Sequence, residues 1–482
     1  MHKDAVAAIT LHGRRTKIIA TLGPASDSPA MVRRLLAAGV DAVRLNMSHG
    51  DYAAHREAVA RVRAAARTGR HVPIIMDLSG PKIRVGRFAN GAVTLQRGAT
   101  VTVTTRAVTG SREVIASQYP RLAQDVRKGQ RILLDDGNLE LRVEAVCGHD
   151  VRCRVVEGGV LRDHKGMNLP GSHLSTPALT AKDRRDARLA AELGVDFVAL
   201  SFLRSPADVR ALKRHLARLG AAIPVMSKIE RPEAVDNIEA ILEVSDAIMI
   251  ARGDLGVELA AERVPLIQRD LIARARRHFV PVIVATQMLE SMVSRARPTR
   301  AEVTDVAGAA FLSADAVMLS AETASGKHPL AAVRTMDRVL REVERAQWRG
   351  GQFADAATVA RDGTRLRDAV ARAAGDLVRS LGLEAVVVPT RTGTTMRIVA
   401  AHRLIAPTVG VCADAAVARR MALCWGVVPV QVEASGTGNW RLLCTRVARR
   451  RGLARRGQRV LVISGFHDDE ASSEPVLKVL SL

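Results

Sequence analysis

Charged and hydroxyl-bearing residues close nearly every short apolar run in the N-terminal two-thirds of this chain. In order they are Arg44, Asn46, Ser48 and His49, then Asp77, Ser201, Lys228 and Glu230, Arg252 and Asp254, Thr286 and Gln287, and finally Ser320, Glu322 and Thr323. Loops scattered over a surface do not repeat such an arrangement, so the pattern points to one pocket. Glu230 and Asp254 leave consecutive apolar runs and can share one hard cation; magnesium takes one or two carboxylates plus substrate oxygens and water. Either carboxylate alone reads more readily as a surface ion pair. Taken with Lys228, Arg44 and Arg84, the two make an anion-plus-metal site. That suits phosphoryl transfer, where positioning and charge neutralisation supply most of the catalysis. The chain lacks G-x-x-x-x-G-K-[ST] and the protein-kinase motif set. His49 and His402 have no metal-ligand spacing and read as structural histidines.

The elements that must position these residues follow from the apolar runs themselves. Strands are expected at Thr16–Leu22, Ala42–Met47, Pro73–Leu78, Asp196–Phe202, Pro224–Ile229, Ala247–Ala251, Pro281–Thr286 and Ala316–Ser320. Runs such as VIVAT and AIMIA are apolar throughout, as parallel strands buried on both faces require. Helical patterns follow them, among them Pro29–Ala38, Tyr52–Arg67, Pro232–Val244, Arg263–His278, Arg300–Leu312 and Leu330–Arg345. Eight such units predict a (β/α)8 TIM barrel, which carries its chemistry at the C-terminal ends of its strands. The third unit is interrupted by short alternating strands with glycine turns, including a hairpin turn at Asp136-Gly137. This predicts a small β-barrel-like domain over 80–167 that acts as a lid. The barrel then takes 16–79 and 168–346, after an N-terminal tail of 1–15. Beyond a Gly- and Ala-bearing linker, WRGGQFADAATVARDGT, an open and mostly parallel α/β domain is expected over 360–482.

The bulk numbers exclude some classes. With 482 residues the chain exceeds one compact core. At 48% hydrophobic and 25% charged it is not a disordered chain. MHKDAVAAITLHGRR lacks a signal-peptide core, and no apolar run spans a bilayer, so a cytoplasmic protein without membrane contact is expected. The five cysteines contain no C-x-x-C pair and read as buried thiols. The net charge of +23 favours anionic partners. Aromatic residues are only 2%, too few for the stacking platforms of single-strand binders, so phosphorylated small molecules suit the charge better than nucleic acid. The basic run Arg446–Arg456 reads as a solvated helix face.

The strand ends also spell longer motifs: KIIATLGPAS, VRLNMSHG, DLSGPKIRVG, KGMNLPG, SKIERPEAVDNI, MIARGDLGVE, ATQMLESM, PTRAEVTDVA and DAVMLSAETASGKHP. Together they closely resemble the pyruvate kinases, from about Thr16 to Arg345, with a weaker likeness in WGVVPV of the C-terminal domain. The resemblance implies transfer of phosphate from phosphoenolpyruvate to ADP with magnesium or manganese, the last step of glycolysis, in a homotetramer. It implies that Lys228 stabilises the phosphoryl group in flight and that Arg44 holds the substrate phosphate. Glu230 and Asp254 become the divalent-ion ligands. Backbone over Ala251, Arg252, Gly253 and Asp254, with the Thr286 hydroxyl, takes the substrate carboxylate. Ser320 lies near the route by which the enolate is protonated. Arg84 and Lys165 face nucleotide phosphates or a second metal ion, with Pro24, Asn46 and His49 on the nucleotide side.

One departure from the family pattern carries a prediction. The monovalent-ion site that the resemblance implies uses Asn46, Ser48, Asp77 and the next residue, here Leu78, which has no side-chain oxygen. Lys82 stands where the family often has a carboxylate, so its ammonium is expected to replace bound potassium. The alternative is a solvated loop lysine. The segment Thr390–Thr395, with Thr392, Gly393 and Thr394, is rich in hydroxyls and backbone donors and can cradle a phosphate. In the family this loop belongs to the sugar-phosphate effector site, and a nucleotide is the other effector expected; a plain helix cap is the alternative. Two other readings of the whole chain stay open, another magnesium-enolate barrel enzyme and a non-catalytic regulatory paralogue.

Overall fold

The computed structural model describes residues 13–66, 70–172, 175–350, 366–433 and 439–482. Most of the tail and most of the linker expected from the sequence lie outside the described residues. Eight parallel strands close into a barrel: β1 Lys17–Thr21, β2 Ala42–Asn46, β3 Ile74–Asp77, β4 Phe197–Leu200, β5 Val225–Ile229, β6 Ala247–Ala251, β7 Val282–Ala285 and β8 Ala316–Leu319. Each falls inside a run expected from the sequence. The strands are buried on both faces, which is why they carry almost no polar residue before their C-terminal ends. Ile19, Ile75, Met226, Met249, Ile283 and Met318 fill the interior, and the outward residues pack against the helices.

Local signals set the helix starts. Ser28 caps Pro29–Ala37 by accepting from Met31 N, and Asp51 caps Tyr52–Ala65 by accepting from Ala54 N. Capping boxes at Thr180/Asp183 and Thr299/Glu302 start Ala181–Leu193 and Arg300–Phe311. The helix expected over Pro232–Val244 is two, Pro232–Asp236 and Ile238–Val244, broken at Asn237, whose side chain donates to Arg204 O at 3.0 Å.

The inserted β-domain has a core of its own around Val101, Ile132, Leu141 and Val151. It comprises a six-stranded sheet and a two-stranded one. The hairpin of Arg131–Leu134 and Leu139–Cys147 turns through Asp135, Asp136 and Gly137, all with positive φ, as its Asp-Gly pair predicts.

The C-terminal sheet runs β11-β10-β9-β12-β13, from β9 Val386–Pro389, β10 Thr408–Cys412, β11 Val427–Gln431, β12 Arg459–Ser464 and β13 Val476–Ser481. All pairs are parallel except β12 with β13, an antiparallel edge that the sequence reading left out. The domain sits under the N-terminal ends of the barrel strands. Leu423 joins the barrel's interior core from below. Arg403, 1% exposed, lies 2.9 Å from Asp315 and donates to Ser313 O at 2.7 Å, both just ahead of β8. Of the basic run, Arg446, Arg449 and Arg450 are exposed on helix Trp440–Arg450, while Leu443, Cys444 and Val447 of the same helix are buried. Among the described residues, no helix is long and apolar enough to cross a membrane.

Candidate active site

Barrel closure brings the ends of β2, β3, β4 and β5 together around one ammonium. Lys228, the fourth residue of β5, is 8% exposed. Its Nζ lies 2.8 Å from Glu230 Oε1 and 3.3 Å from Asp77 Oδ1, and donates to Ser201 Oγ at 2.7 Å. Ser201 in turn donates to Leu78 O at 2.7 Å. Arg44, on β2, reaches the other oxygen of Asp77 at 2.7 Å through Nε. Asp77 is therefore a buried carboxylate between two cations. Burial pushes its pKa up, but Lys228 and then Arg44 bring it below the ordinary carboxylate range. Burial alone pulls the Lys228 pKa down; Asp77 and Glu230 more than reverse it, so this lysine keeps its proton.

Glu230 differs. Burial is the largest influence on it and Asp254 adds to the effect, so its pKa is pushed up to about 7 in spite of Lys228. Its Oε2 accepts from Phe202 N at 2.8 Å. Its Oε1 is buried and has no hydrogen-bond partner beyond the Lys228 ammonium 2.8 Å away. A cleft beside this cluster is lined by Lys82, Asn168, Arg204, Arg231, Asp254 and Glu258. Among the described residues, no three His, Cys, Asp or Glu side chains are grouped to hold a metal on their own.

At the end of β7, the Thr286 hydroxyl accepts from Gly253 N at 2.7 Å and donates to Ala285 O at 2.6 Å. Ala251 ends β6 and Gly253 and Asp254 lie in the helix Arg252–Glu258 that follows it. The Arg252 side chain reaches the end of β7 and donates to Thr286 O at 2.7 Å. Beyond β8, Ser320 N donates to Glu322 Oε2 at 2.6 Å, while Ser320 Oγ is buried without a partner. Glu322 also accepts from Leu289 N at 3.0 Å, and the Thr323 hydroxyl donates to Thr21 O at 2.9 Å; both tie loops together.

The pattern is matched, over residues 13–333, by the family model described as the pyruvate kinase barrel domain, and over 368–480 by the pyruvate kinase alpha/beta domain. The chain belongs to the pyruvate kinase family. It is accordingly an enzyme, a transferase of that class. It is 48% identical over 432 residues to the pyruvate kinase of Mycobacterium tuberculosis, covering 88% of this chain and 89% of the relative. With the pyruvate kinase of Mycobacterium intracellulare it shares 45% over 475 residues, 97% and 98% of the two chains. Pyruvate kinase 2 of Synechocystis is 43% identical over 472 residues, 97% of this chain and 79% of the relative.

The other residues marked in the sequence are less concentrated. Asn46 Oδ1 accepts from Ser48 N at 3.1 Å in a turn, and Pro24 and His49 are exposed. Arg84 donates to His164 O at 2.8 Å, and Lys165 pairs with Asp135 at 2.7 Å inside the inserted domain. The Leu78 side chain is 1% exposed in the barrel core. Lys82 is exposed in the cleft that also holds Asp254 and Glu258. His402 sits 3.3 Å from Asp368, far along the chain from any metal candidate. In the C-terminal domain, Thr390 Oγ1 accepts from Gly393 N at 3.0 Å, and Thr395 Oγ1 donates to Phe466 O at 3.2 Å. The Thr392 and Thr394 hydroxyls lie 3.0 Å apart, and Thr394 also bonds Asp468.

Three participants went unassigned in the sequence: Asp77 as the shared partner of Arg44 and Lys228, Ser201 as the acceptor for Lys228, and Glu258. Glu258 is buried and accepts from Asn168 Nδ2 at 3.1 Å. Its one signal was its place four residues after Asp254, on the same helix face.

Proposed function

We propose that the chain transfers the phosphoryl group of phosphoenolpyruvate to ADP, as the last step of glycolysis in the cytoplasm. The observation that carries the reading is the buried, protonated Lys228 held between Asp77 and Glu230 with Arg44 alongside. In the reaction, the bond between phosphorus and the enol oxygen breaks and a bond to the terminal phosphate oxygen of ADP forms. Lys228 neutralises the charge spread over the moving group, and Arg44 fixes its orientation. The enolate left behind takes a proton at its terminal carbon and becomes pyruvate. Ser320, whose buried hydroxyl has no partner, lies on that proton's route in this reading.

The divalent ion belongs to Glu230 and Asp254. The fit rests on Glu230 Oε1, buried with no partner beyond the Lys228 ammonium, and on a carboxyl whose pKa of about 7 falls when a cation arrives. When bound, the ion supplies further charge neutralisation at the phosphate and enolate oxygens. The substrate carboxylate is assigned to the backbone of Ala251–Asp254 and the Thr286 hydroxyl, which must redirect the proton it now donates to Ala285 O. ADP is assigned to the side of Pro24, Asn46, His49, Arg84 and Lys165, under the inserted domain acting as a lid.

Potassium independence is part of the proposal. Asp77 already has two side-chain cations, Leu78 turns its side chain into the core, and Lys82 adds a fixed charge to the cleft. We also assign a sugar-phosphate or nucleotide effector to the Thr390–Thr395 loop, where its phosphate has to displace Asp468 from Thr394 and from Arg397, 3.6 Å away. A homotetramer completes the reading. The test is pyruvate formation from phosphoenolpyruvate and ADP with magnesium, in potassium-free buffer and with potassium added. Equal activity in both supports the reading of Lys82; activity only with potassium removes it and leaves the reaction standing.

A further inference from the structure

Thr286 and Gln287 both take left-handed backbone angles, with φ of 68° and 54°. Neither is glycine, and threonine is β-branched, so each sits where its Cβ crowds its own backbone. Two such residues in a row do not persist unless their surroundings hold them. What surrounds them is the side chain of Arg252, 9% exposed. Its Nη2 donates to Thr286 O at 2.7 Å and lies 3.4 Å from Gln287 O, and its Nε lies 3.4 Å from Ala285 O. Three successive carbonyls thus converge on one guanidinium. Nη1 is paired with Asp305, on helix Arg300–Phe311. Only a planar fork of donors can collect carbonyls arranged this way; a lysine offers one point charge.

The consequence lies on the other side of the turn. With the backbone held left-handed, the Thr286 hydroxyl meets Gly253 N at 2.7 Å. The approach is tight, since a Cβ at position 253 would stand 3.3 Å from that hydroxyl. We propose that Arg252 and Asp305 are positioning residues, which hold the strained Thr286–Gln287 turn and so aim the Thr286 hydroxyl into the substrate pocket. The inference rests on the proposed role of Thr286 and goes further, to the two side chains that set it without touching substrate.

The experiment compares steady-state kinetics of wild type, Arg252→Lys, Thr286→Ala, the double variant of these two, and Arg252→Lys combined with Gln287→Gly. Arg252→Lys should lower kcat/KM for phosphoenolpyruvate by about tenfold or more, with KM for ADP unchanged. Adding it to Thr286→Ala should cost nothing further, because the clamp acts through that hydroxyl. Gln287→Gly should restore part of the activity to Arg252→Lys, because glycine accepts one of the two left-handed angles unaided. Additive losses in the double variant, or no rescue by glycine, overturn the proposal. If circular dichroism shows Arg252→Lys to be unfolded, Asp305→Asn replaces it in the same comparisons. An inactive wild type contradicts the function itself, a result distinct from any pattern among the variants.

Discussion

Lys228 is charged where burial opposes charge, and only its carboxylate neighbours explain why. Residue types were legible in the sequence, but their pairing was not. Asp77 and Lys228 are neighbours because β3 and β5 converge at the barrel mouth, a distance that no local pattern encodes. Arg252 shows the opposite limit: its place at a strand exit was legible, but its side chain faces the β7 turn, which spacing alone does not reveal. Four of the five cysteines are buried as expected; Cys147, near the end of an inserted-domain strand, is the exception. Burial pushes the thiols of Cys153, Cys424 and Cys444 up to about 12 and Cys412 up to about 11, while Cys147 is exposed. A raised pKa means less thiolate at any given pH, and the thiolate is the nucleophile. Alkylation of the native protein at about pH 8 should therefore modify Cys147 alone, and denaturant should open all five to reagent. Rapid native labelling at the other four, read by mass spectrometry, would contradict their placement.

At the scale of elements, the barrel strands were legible because a parallel strand buried on both faces must be an unbroken apolar run. The helix expected over Pro232–Val244 was not legible as two; at the break, the Asn237 side chain bonds the carbonyl of Arg204, on another loop, a contact that local spacing does not reveal. The edge strand Val476–Ser481 was missed for a related reason. An edge strand has one solvent-facing side, and this one is largely exposed. The joint between barrel and inserted domain depends on Gly80, at φ 64°, where a Cβ would stand 2.7 Å from the Phe202 ring and 3.1 Å from Ser201 Cβ. Gly80→Ala should destabilise the protein by about 2 kcal/mol through backbone strain and overlap. It should also lower kcat, because Ser201 accepts the Lys228 hydrogen bond. Thermal melting and turnover together check this; an unchanged melting temperature with unchanged kcat contradicts it.

At the scale of the whole molecule, the C-terminal domain is fastened to the barrel by buried charge. Asp315 faces Arg403, and its oxygens also accept from Trp425 N at 2.9 Å and Val282 N at 3.1 Å. Arg15 and Arg403 both lie over the Trp425 ring, at 5.1 Å and 5.2 Å, and Lys17 Nζ donates to Val427 O at 2.8 Å. None of this docking was visible in the sequence, where the barrel, the C-terminal domain and the linker between them could be read but not their contacts. Breaking a buried pair from one side leaves a charge without its partner. Arg403→Leu should therefore cost about 3–5 kcal/mol in denaturant unfolding. A loss below about 1 kcal/mol, the range of surface pairs, would show that the pair does not fasten the domains.

The central claim concerns the reaction, and one comparison tests it most directly: phosphoryl transfer from phosphoenolpyruvate to ADP by wild type and by Lys228→Met. Wild type should form one ATP for each pyruvate, and the folded variant should lose kcat by roughly 10²–10³-fold. A variant that turns over like wild type, or a folded wild type that transfers nothing with magnesium present, would contradict the account.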